Sequence, residues 1–274
     1  MRNLLAFFGL CLLQLAAALR PPANLETGLV AYYSFNECNA RDDSGNGSHG
    51  ILYGDPGCHC GVEDDALLLD GEDDYIVFEG YVNRFFNTSD FTVSFYIKPT
   101  GHFSFPQQLL AKREACDSNH VFDTRLNSSL QRIDTDLIED EFVYLRNLEA
   151  ELDGTGWMHF AVVREGTRAW TYINGNLRGQ GRLCRGVDIG NDALLAFADS
   201  PCLASGRLRR FRGVLDELRI YDRALTGAEV AALYARYPID RAEIDCVSMV
   251  PPRRLQQPRQ HRESAYLCAF ATTR

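Results

Sequence analysis

The residues best suited to metal chemistry are oxygen-bearing side chains in one loop and on one strand. The loop 42–46, Asp-Asp-Ser-Gly-Asn, is rich in oxygen ligands and turn formers. In 213–221, strand alternation places Asp216 on a face with apolar side chains. A carboxylate on such a face needs a cation or several hydrogen-bond donors to offset its desolvation. Oxygen atoms of this kind are the ligands that calcium prefers. The alternative is that Asp42 or Asp43 caps a turn and that Asp216 accepts backbone N–H groups.

Three further carboxylates, on Asp134, Asp136 and Glu139, could carry out hydrolysis. Alternation places Asp134 and Asp136 on one strand face, and a β-bulge could return Glu139 to it. Two carboxylates so placed suit retaining glycoside hydrolysis, in which one is the nucleophile and the other the general acid. The chain has only two tryptophans, Trp157 and Trp170, and their apolar surroundings in the sequence predict core positions. Without a tryptophan-lined cleft, hydrolysis is the less favoured alternative.

A third group of residues suits binding. Asp73-Asp74-Tyr75 lies in a predicted turn, and an exposed tyrosine beside carboxylates can stack on a sugar ring and hydrogen-bond to it. Tyr32, Tyr33 and Tyr96 lie on predicted strands, where a tyrosine is more often part of the sandwich face than a ligand contact. These residues indicate a glycan- or protein-binding surface without fixing its position.

Short strands must position all of these side chains. Val93, Phe95 and Ile97 alternate with polar residues, which predicts a strand with one buried face. Asn174-Gly175 is a strong hairpin signal. Other predicted strands are 29–35, 50–53, 66–70, 75–78, 108–112, 120–126, 142–146, 157–164, 168–173, 194–198 and 215–221. A dozen short strands with little helical periodicity predict an all-β, antiparallel two-sheet β-sandwich.

One short helix is predicted near the end of the sandwich. Thr226 and Glu229 form a capping box, and Pro238 ends the apolar stripe that follows. Beyond it the character changes, because 247–274 contain five arginines, three prolines and no clear periodicity. We therefore expect 239–274 to be an Arg/Pro-rich tail that is poorly ordered or the truncated start of a further domain.

Length and charge narrow the range of functions and partners that the chain can have. The chain has 274 residues, of which 46% are hydrophobic, enough for a full core. Its 28 basic against 37 acidic residues give a net charge of -9. Nucleic-acid binding needs a basic footprint, and anionic membrane surfaces repel an acidic protein. We therefore expect neither nucleic acid nor an anionic membrane surface to be a partner.

The first 18 residues have the features of a secretory signal peptide. Arg2 supplies the charged start, an apolar run follows, and Ala16-Ala17-Ala18 offers small residues for cleavage. The apolar stretch is short for a membrane span, which needs about 20 residues. We therefore predict a secreted or cell-surface protein whose mature chain does not insert into the membrane.

The cysteines fit that location. Removing Cys11 with the signal leaves eight of the nine, an even number that favours disulfides. Cys58-His59-Cys60 has one intervening residue, too few for a zinc knuckle. We expect Cys38 to pair with Cys58 or Cys60, and Cys184 with Cys202. The cysteines assigned to disulfides are Cys38, Cys58, Cys60, Cys116, Cys184 and Cys202. Cys246 and Cys268 would hold the tail.

Six motifs in order carry a family resemblance. They are Gly-Leu-Val-Ala-Tyr-Tyr-Ser-Phe at 28–35, Asp-Asp-Ser-Gly-Asn-Gly-Ser-His-Gly at 42–50, Ala-Leu-Leu-Leu-Asp-Gly at 66–71, Trp-Met-His-Phe-Ala-Val-Val at 157–163, Tyr-Ile-Asn-Gly at 172–175, and Gly-Val-Leu-Asp-Glu-Leu-Arg-Ile-Tyr-Asp-Arg-Ala-Leu at 213–225. Over 27–238 the chain resembles the laminin G-like jelly-roll domain of the concanavalin A-like lectin/glucanase superfamily.

The resemblance implies a fold and a set of metal ligands. The family fold is an antiparallel sandwich, often with calcium, and it serves adhesion or carbohydrate binding. The first and last strands of such domains lie close together, which would bring the loop 42–46 near the last strand. On that basis Asp43, Asn46 and Asp216 are the calcium ligands we predict, completed by backbone carbonyls.

The same superfamily also contains glycosidases. The spacing of Asp134, Asp136 and Glu139 is similar to the Glu-x-Asp-x-x-Glu element of its laminarinase-like members, but Asp replaces Glu at the first position and shortens the nucleophile by one methylene. The fold does not decide between lectin and glycosidase.

The function we predict is a secreted, non-catalytic recognition or adhesion module that binds a glycan or an extracellular protein. The first alternative is a glycoside hydrolase that uses Asp134, Asp136 and Glu139. The second is a purely structural spacer domain at the cell surface, which would have no soluble ligand.

Overall fold

The computed structural model describes residues 24–101 and 103–244. The predicted signal peptide, Cys11, Cys246, Cys268 and the predicted tail beyond residue 244 lie outside that part of the chain. No helix within it is long and apolar enough to cross a membrane.

Short strands make up most of the described chain. In chain order they are β1 (Leu29–Tyr33), β2 (Gly50–Tyr53), β3 (Gly57–Cys60), β4 (Asp65–Asp70), β5 (Tyr75–Phe78), β6 (Phe91–Pro99), β7 (Gln107–Lys112), β8 (Val121–Asn127), β9 (Arg132–Ile138), β10 (Tyr144–Glu151), β11 (Met158–Glu165), β12 (Arg168–Ile173), β13 (Asn176–Arg182), β14 (Leu195–Phe197), β15 (Arg209–Arg210) and β16 (Arg212–Tyr221). The helices are α1 (Gly227–Arg236) and 3-10 turns at Asn36–Cys38, Gly80–Arg84, Pro201–Ser205 and Ile239–Arg241.

The strands form two eight-stranded sheets. The first sheet has the order β13-β12-β11-β6-β16-β4-β3, and β1 also pairs with β16. The second has the order β10-β9-β8-β7-β14-β5-β2, and the short β15 pairs with β7 in the parallel sense. The other pairings are antiparallel, which confirms the predicted two-sheet sandwich.

The core lies between the two sheets. Val93, Phe95 and Ile97 point into it from β6, as their alternation predicts. The opposite face of β6 is also buried, because Thr92, Ser94 and Tyr96 lie on the side that the C-terminal segment covers. The expectation of one buried face on this strand is therefore wrong, and its cause lies in the helix that packs against the outer face.

Helix α1 is capped and packed as its sequence predicts. The hydroxyl of Thr226 accepts the N–H of Glu229, and the Glu229 carboxylate accepts the N–H of Thr226. Val230 and Leu233 then pack with side chains from the outer face of the first sheet, including Tyr221. The helix thus covers part of that face and gives the protein a second, smaller core.

Disulfides join distant parts of the chain. Cys38 bonds Cys58, and Cys60 is also disulfide-bonded. Cys202 bonds Cys116, whereas Cys184 is exposed and free within the described chain. The predicted Cys184–Cys202 pair is therefore wrong. Because β7 and β14 are neighbours, the segments that follow them bring Cys116 and Cys202 to a Cα separation of 4.8 Å.

Candidate binding site

At one edge of the sandwich the chain crosses twice between the two sheets. Residues 54–56 lead from β2 to β3, and residues 71–74 lead from β4 to β5. In the second sheet β2 and β5 are paired, and in the first sheet β3 and β4 are paired. The two crossings therefore lie side by side, and we call them, together with Tyr53 and Tyr75, the tyrosine rim.

The Asp74 carboxylate joins the two crossings. Its Oδ1 accepts the N–H of Asp55 at 2.8 Å, and its Oδ2 accepts the N–H of Asp70 at 2.9 Å. The residue is only 3% exposed. Gly54 lies against it, since a Cβ on this glycine would be 2.3 Å from Asp74 Oδ1, and its φ of +77° is in the left-handed region. Close approach and backbone conformation both require glycine here.

Asp70, the last residue of β4, fixes the second crossing. Its Oδ1 accepts the N–H groups of Glu72, Asp73 and Asp74 at 2.7, 3.3 and 3.4 Å. These backbone donors, that of Glu72 above all, lower the pKa of Asp70. The turn is thus organised around an ionised carboxylate.

The two tyrosines form a stacked aromatic pair of which one member is exposed. Tyr53 and Tyr75 are direct cross-strand partners on β2 and β5. Their rings are stacked, with centroids 4.5 Å apart and an interplanar angle of 1°. Tyr53 is 40% exposed. The Arg210 guanidinium lies 4.5 Å from the Tyr75 ring centroid and binds Asp199 at 2.7 Å, so both the ring and the arginine are held in place.

The other tyrosines that the sequence singles out have structural roles. Tyr33 and Tyr96 are buried, and their hydroxyls donate to the carbonyl oxygens of Ser48 and Tyr234. The hydroxyl of Tyr32 donates to Glu217 at 2.7 Å. Tyr75 is half-buried, as Tyr32 is, but it stacks on an exposed ring. Its partner Tyr53 was not predicted as a site residue, although the alternation of Ile51 and Tyr53 on β2 indicates an exposed ring.

Three carboxylates lie together at the tyrosine rim. Asp70, Asp73 and Asp74 each have a carboxylate oxygen within 4.8 Å of the other two. Asp74 is buried, and the other two are exposed. A groove of about 820 Å³ runs beside them, and His59 and Arg212 also line it. This donor set is of the hard-oxygen kind that calcium prefers.

The loop 42–46 is held by hydrogen bonds to β1 and its end. Asp43 Oδ2 accepts the Ser34 hydroxyl at 2.6 Å, and Asn46 Nδ2 donates to the Val30 carbonyl at 2.9 Å. Asp42 organises the loop, with both carboxylate oxygens accepting hydrogen bonds. Burial opposes ionisation of Asp42, but these donors lower its pKa.

Asp216 lies on β16 and takes no part in the hydrogen bonds of the loop 42–46 described above. It is fully buried, and its Oδ2 accepts the N–H of Val62 at 2.7 Å, whereas its Oδ1 has no hydrogen-bond partner in the described chain. Burial, with a smaller contribution from Glu217, raises the pKa of Asp216 well above its ordinary value. β1 does pair with β16 as expected, but Asp43 and Asn46 bond to β1 and its end, whereas Asp216 bonds to Val62. Their role as calcium ligands stays a prediction.

The carboxylates of the hydrolase alternative are engaged in ion pairs. Asp134 and Asp136 share the outer face of β9, as alternation predicts. Arg132 binds Asp134 at 2.8 Å and Arg125 binds Asp136. Burial raises the pKa of Asp134.

Glu139 does not join that pair. It follows the end of β9, and Arg185 binds both of its oxygens, at 2.9 and 3.0 Å. A third hydrogen bond comes from the N–H of Asp188 at 3.0 Å. The hydrogen bonds from Arg185 lower the pKa of Glu139, which is opposite to the shift that a general acid needs.

Comparison with known families gives one match that covers most of the sandwich. The model of Laminin_G_3, described as concanavalin A-like lectin/glucanases superfamily, matches residues 70–231. No curated protein matches the chain in sequence.

Two solved structures with a similar fold are binding domains of toxins. The binding domain of Paraclostridial Mosquitocidal Protein 1 is similar over 78% of this chain and 53% of its own length, with 19% identity and a TM-score of 0.60. The binding domain of botulinum neurotoxin DC, solved with rat synaptotagmin II, is similar over 78% and 52%, with 12% identity and a TM-score of 0.62. The chain thus spans about half the length of these toxin domains.

Domain 4 of AbnA is similar over nearly its whole length. AbnA is a GH43 extracellular arabinanase from Geobacillus stearothermophilus, and the domain was solved in complex with arabinotriose. The similarity covers 75% of this chain and 98% of the domain, with 22% identity and a TM-score of 0.55. At sequence identities this low, these structural similarities establish the fold alone.

Proposed function

Because the chain belongs to the Laminin_G_3 family of the concanavalin A-like lectin/glucanase superfamily, we propose that it is a non-catalytic recognition module that binds carbohydrate at the tyrosine rim. The fold alone does not fix a function in this superfamily. The observation that carries the proposal is the exposed Tyr53 ring, stacked on the half-buried Tyr75 beside the carboxylates of Asp70, Asp73 and Asp74.

The chemistry of the rim suits a sugar. The exposed Tyr53 ring offers an apolar face to the C–H groups of a pyranose or furanose, and its hydroxyl offers a hydrogen bond. Exposed carboxylate oxygens on Asp73 accept hydrogen bonds from sugar hydroxyls. Asp74 and Gly54 hold both crossings before any ligand arrives, which reduces the entropy lost on binding.

Two further observations support binding over hydrolysis. Asp136 and Glu139 are each bound by an arginine, and Glu139 lies outside the pair that Asp134 and Asp136 form. The structural neighbours also include domains solved with arabinotriose and with synaptotagmin II. An extracellular protein is the second class of partner that these neighbours favour.

The rim also fits a calcium ion. Asp73 is exposed, its carboxylate accepts no hydrogen bond from the described residues, and it lies next to two ordered carboxylates. Calcium there would supply positive charge for sugar hydroxyls. Asp43, Asn46 and Asp216 form the alternative set, which the sequence favours.

We also propose that the module acts outside the cell as a secreted or cell-surface adhesion protein. The disulfides Cys38–Cys58 and Cys116–Cys202 support this location, because such bonds persist in oxidising compartments.

The test is affinity electrophoresis of the oxidised protein through gels that contain neutral polysaccharides: arabinan, galactan or β-glucan. We expect at least one to retard the protein, and Tyr53→Ala to weaken that binding about tenfold or more, as expected from the loss of aromatic contact. Tyr144→Ala is a matched control, because Tyr144 is 39% exposed and lies under Arg146 at the far edge of the second sheet. Equal loss in both variants contradicts the site, and retardation by none of the polysaccharides favours the structural spacer.

Calcium is tested in the same gels and by thermal unfolding, with excess chelator and then with calcium. A calcium-dependent rise in melting temperature that Asp73→Asn abolishes would assign the ion to the rim. A rise abolished by Asp43→Asn instead would assign it to the loop 42–46. If calcium changes neither melting nor binding, both sets of ligands are wrong.

A further inference from the structure

A second surface with binding features lies at the opposite edge of the first sheet. Trp170, expected from its sequence to be a core residue, is partly exposed on the outer face of β12. A shallow cavity of about 390 Å³ lies over it, and Arg168, Gln180 and Arg182 complete the lining with Gly181. In the sheet order, β12 and β13 are separated from β3 and β4 by the three strands β11, β6 and β16. This surface, the tryptophan pocket, is therefore distinct from the tyrosine rim.

The strand register brings two arginines face to face in this pocket. Arg168 on β12 is the direct partner of Arg182 on β13, and Trp170 is the partner of Gln180. Like charges directly opposite each other on neighbouring strands destabilise a sheet. Neither guanidinium has an ion pair or a side-chain hydrogen bond within residues 24–101 and 103–244. Glu165 is the partner of Arg168 on β11, yet its exposed carboxylate forms no ion pair with it.

Two other arginines on strands of the sandwich are neutralised by carboxylates. Arg178, two residues before Gln180 on β13, binds Asp153, and Arg132 on the second sheet binds both Asp134 and Glu149. By contrast with these neutralised arginines, Arg168 and Arg182 form a pair of cations without a carboxylate partner in the described chain, beside an aromatic ring.

We propose that the tryptophan pocket binds the anionic group of an acidic sugar, either a uronate carboxylate or a sulfate. Guanidinium groups match the geometry of both anions and can bind them through two parallel hydrogen bonds. The ring of Trp170 stacks on the sugar's C–H face, and the Gln180 amide hydrogen-bonds to a neighbouring hydroxyl. An anion between the arginines also removes their mutual repulsion. The proposal rests on the proposed function for its class of ligand, saccharides, and adds a second, charge-selective site.

The experiment measures binding of the full mature chain to three polysaccharides: polygalacturonate, dextran sulfate and neutral dextran. We expect binding to at least one of the two anionic polymers and not to dextran. Arg168→Gln combined with Arg182→Gln should weaken it by at least about tenfold, as expected for the loss of charge-assisted hydrogen bonds. Arg207→Gln is the control, since Arg207 is exposed and without an ion pair in the described chain, so it tests whether any unpaired arginine contributes equally.

The outcomes separate the two proposals. Binding to polygalacturonate alone assigns the carboxylate, and binding to dextran sulfate alone assigns the sulfate. An equal loss in the Arg207→Gln protein would overturn the pocket in favour of non-specific attraction. Retention on a neutral polysaccharide with no binding to either anionic polymer would overturn the pocket while the tyrosine rim stands. Failure on all polymers would overturn both.

Discussion

The strongest test of the tyrosine rim is removal of the carboxylate that joins its two crossings. Asp74→Ala deletes the acceptors for the N–H groups of Asp55 and Asp70. Hydrogen bonds to charged groups contribute about 1.5–3 kcal/mol each. Both donors are only partly buried, so water replaces some of that energy. We expect a loss of about 2–4 kcal/mol in the free energy of unfolding.

The assay is thermal unfolding of the oxidised protein in excess chelator, which keeps any cation at the rim out of the comparison. For a domain of this size, 1 kcal/mol shifts the melting temperature by about 2–4 °C, so the expected fall is roughly 4–16 °C. Sugar binding should fall as well, because Tyr75 directly follows Asp74 and stacks on Tyr53.

Asp73→Ala is the matched control. Its carboxylate is in the same turn, exposed, and accepts no hydrogen bond within the described residues, so its melting temperature should stay within about 2 °C of the parent protein. A fall of less than 2 °C in Asp74→Ala, or equal falls in both variants, would refute the view that Asp74 holds the rim together.

Two more expectations concern a disulfide and a buried histidine. Replacing Cys116 and Cys202 by serine removes a link between residues 86 apart, which should lower the free energy of unfolding by about 2–4 kcal/mol. Peptide mapping of the unreduced protein should find these two cysteines joined. A peptide that joins Cys184 to Cys202 would contradict this pairing. Burial lowers the pKa of His159 to about 3, so its contribution to stability is complete above the unfolded pKa, near 6.5, and falls by about 1.4 kcal/mol per pH unit below it. Between pH 7 and pH 5 the parent protein should therefore lose about 2 kcal/mol more than His159→Asn in urea unfolding, and equal losses would count against the buried neutral ring.

Local signals predicted the elements that local chemistry controls. The capping box at Thr226 and Glu229 identified α1, and the Asn174-Gly175 turn, with φ of +51° and +74°, joins β12 to β13 as expected. Strand β13 itself was missed, because Asn176–Arg182 lacks apolar alternation. Its pairing with β12 follows from the turn.

Features that depend on distant strands could not be predicted from the sequence. Cys116 and Cys202 meet because β7 and β14 are neighbours, and no spacing between cysteines encodes that pairing. The stacking of Tyr53 on Tyr75 likewise depends on the register of β2 against β5. Trp170 looked like a core residue because its neighbours along the chain are apolar, although alternation turns it to the outer face. For the disulfide and the tyrosine pair, the missing information is which strands pair.

The position of β16 has a consequence for how the protein is made. It is the last strand of the described residues, yet it lies in the interior of the first sheet, where it pairs with β6 on one side and with β4 and β1 on the other. A chain synthesised only as far as residue 211 therefore leaves three strand edges unpaired, and unpaired edges are templates for aggregation. Folding has to wait for the last strand and then close contacts that are far apart in sequence, which is slow. During synthesis, the incomplete chain therefore exposes those edges and is prone to aggregation until β16 is available.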